Sequence, residues 1–263
     1  MPHAQWNFAG ERVLVSGGAG GIGLAIGEAF VRAGARVVLL GRDIATLTKA
    51  VEVAAAAGEG DASSVVCDLQ DAGEIARATG EVIDRLGGID ILVNNAGVSM
   101  HVPLVECTDE VIDLNLDVNL RAVMLLTRGL LRGMLQRGRG SVVNVSSQAA
   151  KRGWPENTHY SASKAGVLGF TLALAAEVAP TVRVNAVCPG MVMSGMMRGN
   201  IRATSEHKRI SYDEAYEEWS SGIPMGRMQR TTDIANAVLF LASDDASEIT
   251  GEALNVSGGQ TTH

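Results

Sequence analysis

The chain has 263 residues, of which 46% are hydrophobic and 19% are charged. This composition favours one sizeable α/β domain with a filled core, since such domains can run well past the usual ~150 residues. The net charge of −7 and the lack of a long basic run argue against a nucleic-acid backbone or an anionic membrane as a partner.

The three cysteines, Cys67, Cys107 and Cys188, are far apart and lack C-x-x-C spacing. They indicate neither a disulfide framework nor a zinc site, and we interpret each as a small buried hydrophobic residue. The first ten residues have no basic-then-apolar signal pattern, and no apolar run approaches the ~20 residues of a membrane helix. We therefore expect a cytoplasmic protein that holds no metal.

The first predicted strand leads directly into a glycine-rich turn. Arg12–Ser16 is a short apolar run, Gly17–Gly23 is mostly glycine, and Leu24–Ala33 has the apolar stripe of a helix. A glycine turn between a strand and a helix lets the backbone approach a pyrophosphate at the positive end of the helix. A plain tight turn is the alternative, but the order of the three elements favours a nucleotide-binding turn.

The second predicted strand, Arg36–Leu40, is followed by Gly41, Arg42 and Asp43. In a dinucleotide-binding fold these positions meet the adenosine ribose. Gly41 leaves room for a 2′-phosphate and Arg42 can pair with it, so we predict NADP in preference to NAD. In the alternative, Asp43 reaches back to a free 2′-hydroxyl and Arg42 only covers the adenine.

Polar residues follow the next two predicted strands. The third strand, Ser63–Cys67, leads to Asp68, which either accepts a hydrogen bond from the adenine amino group or caps the helix that begins near Asp71. The fourth strand, Asp90–Val93, leads to Asn94-Asn95-Ala96-Gly97. Amides at the end of an apolar strand indicate more than packing, and we expect them to contact a nucleotide and to tie strands together.

A long helix is predicted over Glu110–Gln136, with Asn119 facing inward near its middle. Asparagine is unfavourable inside a helix, so Asn119 either holds a water molecule or is an ordinary buried amide. The fifth predicted strand, Gly140–Val145, ends in Ser146 and Ser147.

The helix predicted over Tyr160–Val178 begins with a tyrosine and a lysine four residues apart. At this spacing Tyr160 and Lys164 leave the same helical face, one turn apart. An ammonium beside a phenol stabilises the phenolate and lowers the pKa of the phenol from about 10. Such a tyrosine can exchange a proton with an alcohol or a developing alkoxide, although the same spacing also arises by chance on solvated helices.

After the sixth predicted strand, Arg183–Val187, a long segment over Gly195–Gly222 interrupts the alternation of strands and helices. Long insertions at the carboxyl end of a strand form substrate lids, and we predict a lid at about residues 191–224. A helical hairpin in a subunit contact is the alternative. A last helix and a strand over Glu252–Val256 complete a single parallel-sheet domain, residues 1–263.

Six motifs in order make nearly the whole chain resemble the short-chain dehydrogenase/reductase family. Ser16-Gly17-x-x-x-Gly21-Ile22-Gly23 is similar to the family's Thr-Gly-x-x-x-Gly-x-Gly, and residues 94–97 match its Asn-Asn-Ala-Gly. Tyr160-x-x-x-Lys164 matches the catalytic pair, with Ser147 at the usual interval of thirteen residues and Asn119 at the fourth catalytic position. Pro189-Gly190-x-Val192-x-Ser194 resembles Pro-Gly-x-Val-x-Thr.

The resemblance implies a doubly wound, seven-stranded parallel sheet (a Rossmann fold) and hydride transfer between a nicotinamide cofactor and an alcohol or carbonyl carbon. Tyr160 would be the general acid/base, and Lys164 would lower its pKa and bind the nicotinamide ribose. Ser147 would hydrogen-bond the substrate oxygen, and Asn119 would hold a water in the proton path. With Arg42 included, the implied cofactor-binding set is Ser16, Gly17, Gly21, Ile22, Gly23, Arg42, Asp68, Leu69, Asn95, Ala96, Gly97, Tyr160, Lys164, Pro189, Gly190, Val192 and Ser194.

The chain departs from the family pattern around the adenosine. NADP users often carry a basic residue in the glycine turn, where this chain has Ala19 and Gly20, and Gly41 replaces the usual Asp of NAD users. Arg42 is thus the charged residue that favours NADP. The family is mostly homotetrameric, so the resemblance also implies a homotetramer.

For the substrate, the segment Glu218–Met228 is similar to family members that act on sugars, polyols and vicinal diols. We therefore expect a small-molecule secondary alcohol or ketone of that kind. The alternatives are a 3-oxoacyl reductase, which looks much the same in that segment, and a non-catalytic NAD(P)-binding regulator. A scaffold subunit, or an epimerase or dehydratase that keeps its cofactor bound, is a further possibility.

Overall fold

The computed structural model describes residues 6–262, apart from the side chain of Met196. The ends of the predicted domain, Met1–Gln5 and His263, lie outside the described residues. The strands are β1 Arg12–Ser16, β2 Arg36–Gly41, β3 Asp61–Val66, β4 Ile91–Asn94, β5 Gly140–Val145, β6 Val182–Pro189 and β7 Ala253–Val256. The helices are α1 Gly21–Arg32, α2 Ile44–Ala55, α3 Ala72–Leu86, α4 Asp109–Leu116, α5 Ala122–Arg137, α6 Thr158–Val178, α7 Gly195–Lys208, α8 Tyr212–Ser220 and α9 Thr231–Ala242.

The seven strands form one parallel sheet in the order β3-β2-β1-β4-β5-β6-β7. The strand order reverses between β1 and β4, so the helices wind onto both faces of the sheet. In open sheets of this kind, ligands bind outside the carboxyl ends of the strands at the reversal point. The predicted doubly wound fold is confirmed.

Helices cover both faces of the sheet, and each face has its own apolar core. Residues of α1, α2 and α9 pack on one face, where Phe30 and Val238 are fully buried. Residues of α3, α5 and α6 pack on the other, where Leu126 and Met134 are fully buried. Strands buried on both sides explain why β1, β2 and β4 are almost continuously apolar in the sequence.

A π-helical turn interrupts the long helix predicted over Glu110–Gln136. It spans Asp117–Arg121, between α4 and α5, and places Asn119 at its centre. The prediction of one regular helix was therefore wrong at this point. Single π turns inside α-helices occur frequently at functional sites, because the extra residue redirects a side chain and loosens the regular hydrogen bonding.

The segment predicted to interrupt the alternation of strands and helices contains two helices, α7 and α8. They enclose a small apolar cluster of their own, centred on Ile201 and Ala215, which are fully buried, with Trp219 packed against it. The indole Nε1 of Trp219 donates a hydrogen bond of 3.1 Å to Thr204 Oγ1 across the two helices. This helical hairpin is a packed unit above the carboxyl end of β6.

Candidate active site

The glycine-rich turn between β1 and α1 requires glycine at specific positions. Gly17 has φ +65°, and a Cβ atom on Gly23 would lie 2.1 Å from the carbonyl oxygen of Gly17. Helix α1 begins at Gly21, inside the turn rather than after it. The free N–H groups of the first helical turn are thus available to an anion that approaches the turn.

The end of β4 is fastened to the end of β1 beside this turn. Ser16 Oγ accepts hydrogen bonds from the main-chain N–H groups of Asn95 and Ala96, at 3.0 and 3.1 Å. The side-chain amide of Asn95 donates to the carbonyl oxygens of Ser16 and Gly17. These bonds hold the ends of β1 and β4 together, as expected from the amides that follow β4.

Buried amides also connect β4 and β5. Asn94 Nδ2 donates to Asn144 Oδ1 at 2.8 Å, and Asn144 Nδ2 donates to Thr171 Oγ1 of α6 at 2.9 Å. Sequence analysis did not single out Asn144. An amide within the otherwise apolar strand β5 is the signal that would have identified it.

A cavity of about 700 Å³ opens at this edge of the sheet. It runs from the end of β2 across the glycine turn to the start of α6 and the first turns of α7. Its lining includes fifteen of the seventeen residues predicted to bind the cofactor, all except Ser16 and Gly23. It also includes Met197 and Asn200 of the segment predicted as a lid. The sequence analysis did not single out five further lining residues: Val98, Ser99, His101, Leu114 and Val118.

At one end of the cavity, Gly41 and Arg42 line the wall and Asp43 does not. Asp43 is the N-cap of α2, where its Oδ1 accepts a 2.7 Å hydrogen bond from Thr46 N–H. This main-chain hydrogen bond, with that of the Thr46 hydroxyl, lowers the pKa of Asp43. The carboxylate of Asp43 is thus engaged by the helix, and Arg42 is the charged side chain of this segment that lines the cavity.

Asp68 also lines the cavity, and it is not a helix cap. The N-cap of α3 is Asp71, whose Oδ1 accepts hydrogen bonds from Gly73 N–H and Glu74 N–H. The capping alternative for Asp68 was therefore wrong. Its own Oδ1 accepts a 3.0 Å bond from Gln70 N–H, which holds the carboxylate at the cavity wall beside Leu69.

At the other end of the cavity, Ser147 and Tyr160 meet. Ser147 lies just after β5 and Tyr160 in the first turn of α6, and the serine hydroxyl hydrogen-bonds the phenol. Burial raises the pKa of Tyr160, and the hydrogen bond from Ser147 offsets this in part. The phenol therefore carries its proton throughout the neutral pH range.

Lys164 follows Tyr160 by one turn, as predicted, but its ammonium is not directed at the phenol oxygen. Its Nζ donates a 2.9 Å hydrogen bond to Val145 O and lies 5.9 Å from the centre of the Tyr160 ring. The side chain is 3% exposed, and burial lowers the pKa of Lys164 to about 8. The expected lowering of the Tyr160 pKa is wrong for this arrangement, because burial of the phenol outweighs every favourable contact.

Asn119 reaches the same point from the π turn. Its Oδ1 accepts a 2.8 Å hydrogen bond from Val98 N–H, and its Nδ2 donates to Val98 O and to Ser163 Oγ. A Cβ atom on Gly97 would lie 3.2 Å from both Asn119 Oδ1 and Lys164 Nζ. Ser147, Tyr160 and Lys164 thus line one end of one cavity, and Asn119, which is fully buried, lies behind its wall at Val98.

The chain after β6 closes the cavity on the side of α7. Pro189, Gly190, Val192 and Ser194 line the wall as predicted, and Ser194 is also the N-cap of α7, accepting a 3.3 Å bond from Met197 N–H. A Cβ atom on Gly190 would lie 2.6 Å from Gln229 Oε1, so the close approach of the two segments needs glycine.

A second cavity, of about 540 Å³, lies at the opposite edge of the sheet, around the start of β4 and β5. Several of its charged residues are engaged by other groups of the protein. Buried Asp90 receives two 2.7 Å bonds from Arg12, and Arg183 donates to the last carbonyl oxygens of α9. None of the residues predicted to bind the cofactor or to act in catalysis lines this cavity.

Within residues 6–262, His, Cys, Asp and Glu side chains form no group of three that could hold a metal ion. Across the same residues, the helices are too short or too polar for any of them to cross a membrane.

The chain is similar to known proteins over almost its entire length. A family model described as enoyl-(acyl carrier protein) reductase matches residues 17–261. A Thermotoga maritima protein named 3-oxoacyl-[acyl-carrier-protein] reductase is 35% identical over 95% of this chain and 97% of its own. The chain belongs to the short-chain dehydrogenase/reductase family. It is an oxidoreductase that uses NAD(P) and interconverts alcohols and carbonyl compounds.

The chain is also similar to three further proteins over at least 94% of its length. A Streptomyces violaceoruber protein named for ketoacyl reductase 1 of the granaticin polyketide synthase is 40% identical over 94% of this chain and 91% of its own. The crystal structure of a variant of actinorhodin polyketide ketoreductase with NADPH superposes with a TM-score of 0.90, at 35% identity, over 96% of this chain and 98% of that one. Levodione reductase superposes with a TM-score of 0.91, at 29% identity, over 97% and 98%.

Proposed function

We propose that this enzyme reduces the ketone of a 3-oxoacyl thioester, with NADPH as the hydride donor. The observation that carries the proposal is the Ser147–Tyr160 pair at the end of a cavity whose nearby walls are apolar, with Val98, Leu114 and Val118. The names of its relatives, a 3-oxoacyl-[acyl-carrier-protein] reductase and a polyketide ketoacyl reductase, support the same substrate class.

The lining near Tyr160 favours an acyl chain over a sugar. A polyhydroxylated substrate needs a hydrogen-bonding partner for most of its hydroxyls, because each one that is buried unpaired costs free energy. Here Ser99, His101 and Asn200 are the polar side chains beside the apolar wall. The expected sugar, polyol or vicinal diol finds no support in the relatives' names either, so the 3-oxoacyl alternative replaces it as our proposal.

The raised pKa of Tyr160 supports the direction of reduction. When bound, the cofactor supplies the hydride to the carbonyl carbon, and a proton must then reach the oxygen. A protonated Tyr160 can donate that proton, while the Ser147 hydroxyl holds the same oxygen. We assign Asn119 and Lys164 to the organisation of this end of the cavity, where Lys164 would also hold the nicotinamide ribose.

The cavity residues fit a dinucleotide. The glycine turn would receive the pyrophosphate at the start of α1, where the first main-chain N–H groups of the helix are free. Glycine is needed at position 23, because a side chain there would collide with the turn itself. Asp68 and Leu69 would flank the adenine, and residues 95–97 would contact the adenosine side. At the far end, Gly41 leaves room for a 2′-phosphate and exposed Arg42 would pair with it.

A direct comparison of substrates tests the proposed reaction. The purified enzyme would be assayed with NADPH and a 3-oxoacyl thioester, with a cyclic diketone and with a ketose, each at the same concentrations. We expect the highest kcat/KM for the thioester. A higher kcat/KM for the ketose would contradict the proposal and restore the sugar or polyol substrate.

Replacing Arg42 with alanine should remove the preference for NADPH. A hydrogen bond between charged groups contributes about 1.5–3 kcal/mol, and Arg42 is exposed, so we expect NADPH affinity to fall by about tenfold with NADH affinity little changed. Titration of both cofactors by fluorescence measures this. Arg36→Ala, at an exposed position at the opposite end of β2, is the matched control. Equal losses for the two cofactors would show that Arg42 does not contact the 2′-phosphate.

We also propose that the helical hairpin of α7 and α8, within residues 191–224, is a substrate lid. Met197 and Asn200 of α7 line the cavity, whereas the apolar cluster of the hairpin is separate from the main core. The homotetramer stays a prediction, supported by apolar side chains that remain exposed on α5 and α6, among them Met124 and Leu172. The cytoplasmic location stays a prediction as well.

A further inference from the structure

A cysteine and a histidine that the reaction does not use lie against each other beside the cavity. Cys107 Sγ is 3.6 Å from His159 Nδ1, and the other ring nitrogen, His159 Nε2, is 3.0 Å from Met100 O. Cys107 lies just before α4 and is partly exposed, whereas His159 is 5% exposed and directly precedes Tyr160. The two residues are far apart in sequence, and the fold brings them together.

The contacts of His159 determine which nitrogen carries the proton. A carbonyl oxygen only accepts hydrogen bonds, so Nε2 must carry a hydrogen to bond Met100 O. In the neutral imidazole, Nδ1 is then unprotonated and faces the thiol. The other acceptor near Cys107 Sγ is Thr108 O, at 3.9 Å, and an amide oxygen is not a base. His159 is therefore placed to take the thiol proton, which converts the thiol into the nucleophilic thiolate.

The other two cysteines differ from Cys107 in their burial. Cys67 and Cys188 are fully buried, and burial raises the pKa of Cys188 and raises that of Cys67 to about 11. The expectation that all three cysteines are buried hydrophobic residues is thus correct for these two and wrong for Cys107. Reactive cysteines are partly exposed and lie near a base or a positive charge, as Cys107 does.

The pair also fastens a loop that lines the cavity. Three more hydrogen bonds join the loop from Val98 to Cys107 to the segment before Tyr160. Val102 N–H donates to Glu156 O at 2.8 Å, and Ser99 Oγ bonds both the amide oxygen and the amide nitrogen of Asn157. Ser99 and His101 of this loop line the cavity. A group added to Cys107 Sγ on the side of His159 would press against the buried imidazole and against this loop.

We propose that Cys107 and His159 form a reactive thiol–imidazole pair that hydroperoxides oxidise, and that this oxidation lowers the reductase activity. His159 Nδ1 takes the thiol proton, and the sulfur attacks one oxygen of hydrogen peroxide. The O–O bond breaks as the S–O bond forms, and the departing hydroxide takes the proton from the imidazolium and leaves as water. The sulfur is oxidised by two electrons to a sulfenic acid, and the peroxide is reduced.

Alkylation of the intact enzyme by iodoacetamide at pH 7, followed by peptide mass analysis, tests the pair without any substrate. We expect Cys107 to be labelled first, and His159→Gln to slow its labelling about tenfold, because a free thiol is only a few per cent thiolate at this pH. Glutamine keeps an N–H donor for Met100 O but is no base. His101→Gln, at the exposed histidine of the same loop, should leave the labelling rate unchanged.

Two results would overturn the pairing: equal labelling of Cys107 in the wild type and in His159→Gln, or prior labelling of Cys188. If His159→Gln does not fold, as judged by its thermal melting, the comparison is with glutathione at the same pH. Wild-type Cys107 that reacts about tenfold faster than glutathione supports the pair, and an equal or slower rate contradicts it.

Peroxide treatment tests the effect on activity, with dimedone to trap the sulfenic acid and any ketone that the enzyme reduces as the substrate. Cys107→Ser keeps a hydroxyl donor for His159 Nδ1, so we expect it to retain its activity before treatment. It should then resist peroxide, whereas the wild type should lose activity in step with formation of the Cys107 adduct. Equal inactivation of both proteins, or full activity of the oxidised wild type, would refute the proposal.

Discussion

Replacing Tyr160 with phenylalanine should lower kcat for ketone reduction by about 10²–10⁴-fold, the usual contribution of a general acid. The phenol is the protonated group that hydrogen-bonds Ser147 at the end of the cavity, and burial keeps its proton in place at neutral pH because it raises the pKa of Tyr160. Phenylalanine fills the same space and cannot donate. The affinity for NADPH should change little, since the ring remains in the cavity wall.

Steady-state kinetics and cofactor titration measure the two halves of this expectation. Tyr212→Phe is the matched control, since Tyr212 lies at the start of α8 and is 37% exposed. A Tyr160→Phe enzyme that retains more than about a tenth of wild-type kcat would show that another group supplies the proton. NADPH binding without turnover in the wild type, for every ketone tried, would instead favour the regulator alternative.

The positions of several candidate-site residues follow from the sequence because backbone geometry fixes them. A side chain on Gly17 would collide with the main chain of Ala96, and one on Gly23 would collide with the turn itself. Asn95 stands where two strands end side by side. Such requirements are local, or repeat at each strand end of a parallel sheet, so residue type and order reveal them. The seven-stranded sheet follows from the same alternation of apolar strands and helices.

The electrostatics of the site could not be predicted from the sequence in the same way. The spacing of Tyr160 and Lys164 correctly placed both on one helical face, but the acidity of the phenol depends on how deeply the rest of the chain buries it. The direction in which the Lys164 ammonium points depends on Val145 O, a main-chain atom of another element. Burial and main-chain acceptors arise from tertiary packing, which residue spacing does not encode.

The exact starts of helices and the contacts between distant residues could not be predicted from the sequence either. The capping roles of Asp43 and Asp71 became clear only from the exact starts of α2 and α3, which sequence patterns place to within a few residues at best. Cys107 and His159 carry no motif, and their contact depends on how the loop after β4 folds over the start of α6.

Lys164 should make the stability of the protein depend on pH in the alkaline range. Burial lowers its pKa in the folded protein from 10.5 to about 8, so between these values the unfolded chain binds one more proton than the folded chain. Stability therefore rises with pH across this window, and the full difference corresponds to about 3 kcal/mol. Below pH 8 both states carry the charge, and the folded protein bears the cost of burying an ammonium.

Urea denaturation of the wild type and of Lys164→Met, from pH 7 to pH 10.5, isolates this contribution from other titrating groups. The free energy of unfolding of the wild type, relative to the variant, should increase by about 3 kcal/mol across that range. The unpaired Val145 O in the variant adds a penalty that does not vary with pH, and Lys49→Met, at an exposed position, controls for the loss of one positive charge. A constant difference between wild type and Lys164→Met would mean that the folded protein compensates the buried charge fully. A rising one would mean that the fold retains a destabilising ammonium at neutral pH, and such a cost is typical of a side chain kept for its role at an active site.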